Sequence, residues 1–254
     1  MKWIAGFLCA LLAAGALAET GDFAATADKI KAALADSRRS EADKSRDADR
    51  NPLPTLEFFR LRDDMTVLEL VPGVGWYTNI LAPVLEQKGK LYIALGAERI
   101  HDTIKGKPGF GTVELVPFPV MNFIRTPGAK RAGLPKLNFG LANKIDLAVT
   151  FRNMHNFTDE GRQHIHQAVF AALKPGGLYG IVDHTRRHMQ GDSDEVWRRM
   201  DPVQIIKEVH AAGFEFVDFS TVHYRPDDEL RYEVGRKTVT GNTDRFTLLF
   251  RKPS

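Results

Sequence analysis

Only one of the 254 residues is a cysteine, Cys9, and it lies in an apolar segment at the amino terminus. The rest of the chain therefore can form no disulfide, carry no cysteine nucleophile and offer no thiolate to a metal. An excess of one charge is also lacking: 35 Lys and Arg stand against 32 Asp and Glu, a net charge of +3 dispersed along the chain, which argues against a nucleic-acid partner. Asp183, His184, His188, Asp192 and Asp194 carry atoms that suit divalent ions, but without a spacing specific to one metal, so no metal is expected. The one long apolar run, Trp3 to Leu17, is shorter than the ~20 residues a membrane span requires. With Lys2 before it and Ala16-Leu17-Ala18 at its end, it has the form of a secretory signal over residues 1–18. The expected mature chain begins at Glu19 and is exported, to the periplasm, without stable membrane insertion after cleavage.

What is present centres on Thr66 to Leu81. Val67, Leu68, Leu70 and Val71 form the short apolar run of a strand covered on both faces. Gly73 and Gly75 then permit a sharp turn and remove the Cβ atoms that would hold a ligand away from the backbone. Ile80, Leu81, Val84 and Leu85 recur at helical spacing, so free N–H groups at that helix start face the crevice above the strand. A dinucleotide site would continue as G-x-G-x-x-G. Here Thr78 takes the third glycine's place, and Glu69 would set negative charge beside a pyrophosphate. An acid at that strand end suits a ligand carrying an ammonium or sulfonium group.

The length allows one sizeable core. Residues 19–60 are expected to form an N-terminal helical cap: a short helix over 22–36, a run of mixed charge from Ser37 to Arg50 that is either a solvated helix or linker or a cover for the crevice, and a helix N-capped by Thr55 that turns Leu56, Phe58 and Phe59 inward. Residues 61–254 are expected to form one α/β domain, with further strands over 89–95, 112–117, 145–151, 178–182, 214–219 and 246–251. Helices are expected from Asp159 and from Asp201-Pro202. The segment from Phe118 to Lys144, punctuated by Pro and Gly, is expected to be a lid beside the substrate pocket. His164 and His166, two apart on a helix, share no face and are expected to be exposed or partly packed.

Three segments in order, Glu69 to Gly75, Asp146 to Phe157 with its Met154-His155-Asn156 ending, and Leu173-Lys174-Pro175-Gly176-Gly177, resemble motif I, the fourth strand and the helix-to-strand turn of class I S-adenosylmethionine-dependent methyltransferases. Arg46-Asp47 to Phe58-Phe59 and Gly75-Trp76-Tyr77 look like a secreted subgroup of predicted methyltransferases. The chain departs from the family pattern at Val71, where a glycine is usual, and at Leu95-Gly96, where an acid usually takes the ribose hydroxyls. The resemblance spans Met65 to Lys252. It implies a doubly wound, mostly parallel seven-stranded sheet, the Rossmann-like methyltransferase fold, with the last strand antiparallel. It also implies S-adenosyl-L-methionine as cofactor, held by Glu69, Pro72, Gly73, Gly75 and Tyr77, with Glu98 standing in for the ribose acid, and a small-molecule methyl acceptor.

His155 and His184 end adjacent strands on the side where open α/β sheets bind ligands. Either imidazole can take a proton from a hydroxyl acceptor near neutral pH. Arg152, Asn153 and Asp183 are the expected acceptor contacts. Two functions from different classes follow: a methyltransferase, or an exported, non-catalytic binding protein that keeps the fold after losing the glycine at Val71 and the acid at Leu95. A nicotinamide oxidoreductase is disfavoured by Thr78 and Glu69.

Overall fold

The computed structural model describes residues 23–254; the expected signal over 1–18 lies outside them. Four helices lead in: α1 over 23–35, α2 (Glu41–Lys44), α3 (Asp47–Arg50) and α4 (Pro52–Phe58). Strands and helices then alternate as β1 (Thr66–Leu70), α5 (Thr78–Leu85), β2 (Lys90–Ala94), α6 (Glu98–Ile104), β3 (Val113–Val116), β4 (Ile145–Phe151), α7 (Asp159–Ala172), β5 (Leu173–His184), α8 (Pro202–Ala211), β6 (Glu215–Ser220) and β7 (Arg245–Arg251). They build a seven-stranded sheet in the order β3-β2-β1-β4-β5-β7-β6. The pairs from β3 through β5 are parallel, and β7 is inserted antiparallel between β5 and β6.

Alternation along β1 decides which layer each side chain joins. Leu68 and Leu70 enter a core shared with Ile165 and Val169 of α7 and Ile205 and Val209 of α8. Val67 enters the opposite core with Ile30 of α1, Leu56 of α4, Ile80 of α5 and Ile100 of α6. The lead-in helices therefore belong to the main packing. Gly180 on β5 makes room for them, because a Cβ there would stand 2.7 Å from the Phe59 ring.

The structure departs from sequence expectation at four places. Helix α4 begins at Pro52, with Thr55 inside it donating from Oγ1 to the Asn51 carbonyl at 2.7 Å; proline at the first helical position, after a left-handed Asn51, sets the start. Strand β5 begins at Leu173 because Leu173 already pairs with Ile145, and a bulge then restores the register at Leu147 and Leu178. His166 is fully buried, beside Tyr179 and Glu208. The 118–144 segment is anchored: Phe123, Leu134, Phe139 and Leu141 are core residues, and bridges join Ile124 to Gly133 and Ala132 to Phe157. Among the described residues no helix is long and apolar enough to cross a membrane.

Candidate functional site

The chain runs from β1 to β2 and β3 on one side, then returns to place β4 and β5 on the other. That reversal leaves a crevice at the carboxyl end of β1, the usual ligand position in an open α/β sheet. Three non-glycine residues just past the strands around it have left-handed backbones: Val71 (φ 51°) after β1, Leu95 (φ 64°) after β2 and Arg152 (φ 63°) after β4. Such a conformation is a genuine outlier for a β-branched residue, and strain of this kind gathers at functional sites. Val71 thus keeps the backbone shape that a glycine would favour. Its N–H donates to the Ala94 carbonyl at 2.9 Å, and its carbonyl accepts from Asn153 Nδ2 at 3.0 Å.

The two glycines of the turn serve different purposes. A Cβ on Gly73 would meet nothing within 4 Å, so the backbone there is open to a ligand. At Gly75 the left-handed backbone (φ 83°) strains any side chain, and a Cβ would also stand 2.5 Å from Ile100 Cδ1 of α6.

Glu69 is buried beneath this turn and accepts from Thr78 Oγ1 at 2.6 Å. Burial pushes its carboxyl up from the ordinary 4.5 to about 7, against the opposing pull of the Thr78 hydroxyl and Arg50. With the folded value raised, the native state holds this proton more tightly than the unfolded chain does. Its contribution to stability is full below pH 4.5 and is lost as pH rises through about 7. The loss amounts to roughly 3 kcal/mol. Buried His166, His184 and His223 act with the opposite sign, because burial lowers each of them and unfolding favours their protonation as pH falls. The test is therefore a difference: Glu69→Gln should gain stability relative to wild type in urea titrations as pH rises from 4.5 to 7. A constant gap between the two proteins would refute the assignment.

A cavity of about 190 Å³ adjoins Glu69 and is lined by Pro72, Gly73, Trp76, Tyr77 and Asn153 together with Arg46, Arg50 and Arg152. The charged lead-in covers it: Trp76 Nε1 donates to the Asp43 carbonyl at 3.0 Å, and the Arg50 guanidinium lies 4.3 Å from the Trp76 ring centroid. Tyr77 stacks on Phe151 with ring centroids 3.4 Å apart and donates its hydroxyl to the Arg50 carbonyl at 3.3 Å. Burial raises that phenol to about 12.

The Arg152–His155 segment connects the cavity to the histidines. His155 Nδ1 lies 2.6 Å from Asp183 Oδ1, and its backbone N–H donates to Asp183 Oδ2 at 3.1 Å. Asp183 also accepts from the His184 N–H at 2.7 Å. Asp183, expected as an acceptor contact, is wholly buried, and its carboxylate is taken up by the His155 ring and two backbone N–H groups. With Nδ1–H donated to the carboxylate, His155 has the tautomer whose Nε2 carries a free lone pair. His184, its ring centroid 5.8 Å from that of His155, meets Thr243 Oγ1 through Nδ1 at 2.9 Å. Burial first, then His155 and neighbouring arginines, hold it well below the ordinary 6.5, so it is neutral at pH 7. Arg131 of the 118–144 segment donates to the His155 carbonyl at 3.2 Å and to the Trp197 carbonyl at 2.6 Å, bracing this corner.

Glu98 does not line the cavity; its Oε1 accepts from the Phe118 N–H at 2.8 Å. Leu95 is fully buried, and Val120 Cγ2 lies 2.7 Å from where a Gly96 Cβ would be. His188 pairs with Asp201, Asp192 with Arg131 and Asp194 with Lys130, so these groups turn to separate partners. Sequence reasoning missed Arg50 as a wall of the cavity and Thr78 as the partner of Glu69. The spacing of Arg46 and Arg50, four apart and so on one helix face, was the available signal.

No family model and no curated protein matches the chain. Solved structures do. A SAM-dependent methyltransferase from Aquifex aeolicus superposes with a TM-score of 0.53 at 18% identity, over 89% of this chain and 97% of that one. One from Methanosarcina mazei gives 0.51 at 16% identity, over 79% and 97%. The fold is that of the class I methyltransferases. The (4+2)-cyclase SpnF matches equally well, with a TM-score of 0.55 at 17% identity over 81% of this chain and 80% of that one, so the methyltransferase fold does not by itself fix the reaction.

The residues of this chain fit the amino-acid and sulfonium end of S-adenosylmethionine. Glu69 supplies a buried acid beside the turn, and the face of Gly73 is open. At 190 Å³ the cavity is below the roughly 300 Å³ at which pockets for drug-sized ligands begin. A nucleoside cofactor would therefore extend beyond this cavity.

Proposed function

We propose that the chain is an S-adenosylmethionine-dependent methyltransferase acting on a small-molecule acceptor. The observation that carries this reading is the joining, through Arg152–His155, of a cavity under a glycine turn and over a buried acid to an imidazole held by a buried carboxylate. The cofactor, when bound, supplies a methyl group activated on a sulfonium. Glu69 and the backbone at Gly73 hold its charged end. Asn153, fixed by the Val71 and Phe151 carbonyls at 3.0 Å, keeps the β4 end in register with the turn. His155 Nε2 accepts the proton of a hydroxyl acceptor, and Asp183 stabilises the resulting imidazolium. Positioning of the acceptor supplies most of the remaining acceleration.

Calorimetry of the purified chain with S-adenosylmethionine tests the reading. Binding is expected, as is its loss in Gly73→Val with the circular dichroism spectrum retained, because the added methyls enter the open face of the turn. Absence of binding by the wild-type chain would overturn the proposal, and unchanged binding by a folded Gly73→Val would remove the turn from the site. A second reading, a non-catalytic binding protein on the same fold, is favoured by one observation: Leu95 is buried where a ribose acid would stand, and Glu98 is held by Phe118. It predicts no cofactor binding in the same experiment.

A further inference from the structure

Buried arginines elsewhere in this chain each hold a carboxylate: Arg39 pairs with Asp47, Arg162 with Glu208 and Arg199 with Asp228. The arginines at the crevice differ. Arg46, Arg50 and Arg152 line one cavity, Arg245 lies close enough for its charge to act on Arg50, and among the described residues none of the four forms an ion pair. Arg50 is only 7% exposed and its Nε has no hydrogen-bond partner, and the same holds for Nε of buried Arg245. Arg245 donates from Nη1 to the Asp49 carbonyl at 2.6 Å, while among the described residues the Arg50 guanidinium has only the faces of Trp76 and Tyr77, at 4.3 and 6.0 Å. An unpaired buried cation is costly, and the Trp76 face returns only part of that cost.

The acids in range do not balance the cluster. Asp183 is committed to His155 and two backbone N–H groups. Glu69, raised to about 7, is half neutral at that pH. Asp49 remains, acting on Arg152 and Arg245. The strain shows in the groups themselves: burial, and then the neighbouring arginines, bring Arg50 down to about 9, and burial followed by Arg152 brings Arg245 down to about 10. A ligand with two negative charges would relieve this, and the planar guanidinium fork matches carboxylate and phosphate alike.

We propose that Arg50 and Arg152, with Arg46 at the mouth and Arg245 behind, form a recognition site for a small dianion, a dicarboxylate or a phosphomonoester, and that this is the acceptor's anionic end. The assignment to an acceptor rests on the methyltransferase reading; the anion site itself does not. The site differs from one for the cofactor's own carboxylate in its consequence. S-adenosylmethionine carries net positive charge, so a bound dianion should help it enter this cationic crevice.

Titration calorimetry with succinate and, separately, with glycerol phosphate distinguishes the two sources by which of them binds. The double variant Arg50→Gln/Arg152→Gln should lose affinity for the preferred anion by about 10²-fold. The double variant gives up the Arg50 contact with the Trp76 ring but no ion pair, and a melting curve checks that it is folded. Saturating anion should raise affinity for S-adenosylmethionine in the wild type. Failure of both anions to bind, or equal binding by the folded double variant, overturns the anion site. Competition between anion and cofactor overturns the acceptor assignment and gives the arginines to the cofactor carboxylate. Anion binding without any cofactor binding leaves the anion site standing while the methyltransferase reading, and the acceptor assignment with it, fails.

Discussion

Arg199→Ala is expected to destabilise the protein by about 3–5 kcal/mol, the usual result of breaking a buried ion pair from one side. Arg199 is fully buried and forms a two-pronged pair with Asp228, Nη1 to Oδ2 at 2.8 Å and Nη2 to Oδ1 at 3.0 Å. It also donates to the Tyr232 carbonyl at 2.9 Å and the Thr185 carbonyl at 3.1 Å. Asp228 in turn accepts from the Asp244 N–H at 2.7 Å and the Leu230 N–H at 3.0 Å. One guanidinium thus ties the segment after β5 to the long connection between β6 and β7. Alanine would leave a buried carboxylate without its counter-ion and two carbonyls without donors. A whole domain is stable by only about 5–15 kcal/mol, so the variant should show a large fall in its urea midpoint. Lysine should not rescue it, since an ammonium cannot reproduce the fork. Arg199→Met combined with Asp228→Leu removes both charges together but leaves the Tyr232 and Thr185 carbonyls and the Leu230 and Asp244 N–H groups unpaired, so it should recover only the part of the loss that comes from the uncompensated charge. A change below about 1 kcal/mol in Arg199→Ala would show that the pair is effectively solvated.

Strand β4 was legible to the residue, and β1, β2 and β3 to within one residue at each end, because continuous apolar runs bounded by Gly, Pro and charge leave little choice for a buried parallel strand. The count of seven strands and the antiparallel last strand came from the motif resemblance rather than from periodicity, and the strand order from the structure alone. What the sequence hid depends on contacts between distant segments. Gly176 and Gly177 look like a turn, yet that stretch belongs to β5 because Leu173 meets Ile145 across the sheet. His166 looks like a surface residue on a charged helix until α8 brings Glu208 to it, 3.9 Å from Nε2. The run from Ser37 to Arg50 looks solvated, and most such runs are. Here Arg50 is turned under Trp76, a contact between segments 26 residues apart that the Arg46–Arg50 spacing alone does not fix.

Contacts between distant segments also build the His155–Asp183 pair. From sequence, Asp183 and His155 are 28 residues apart with separate roles; the parallel pairing of Phe151 with Val182 brings the ends of β4 and β5 together and makes them one unit. For a hydroxyl acceptor, His155→Ala should lower turnover by about 10²-fold or more, the loss expected for a general base, with cofactor affinity near wild type. Asp183→Asn should cost more, up to about 10⁴-fold, the scale seen when an imidazole is held in the wrong tautomer. The reason is geometric. Asp183 accepts from two backbone N–H groups and faces His155 Nδ1. An amide in its place must turn its NH₂ toward one of these groups. If it faces Nδ1, the imidazole proton moves to Nε2, the atom that should accept from the substrate. If it faces a backbone N–H, that buried donor loses its partner. His184→Gln should have the smaller effect of the three, since His184 is neutral and directs Nδ1 at Thr243. Single-turnover rates with a hydroxyl acceptor, measured alongside cofactor titrations, separate these cases. A folded His155→Ala with wild-type turnover would leave positioning as the sole source of acceleration, and a parallel loss of cofactor affinity in His155→Ala and His184→Gln would move both histidines into the cofactor site.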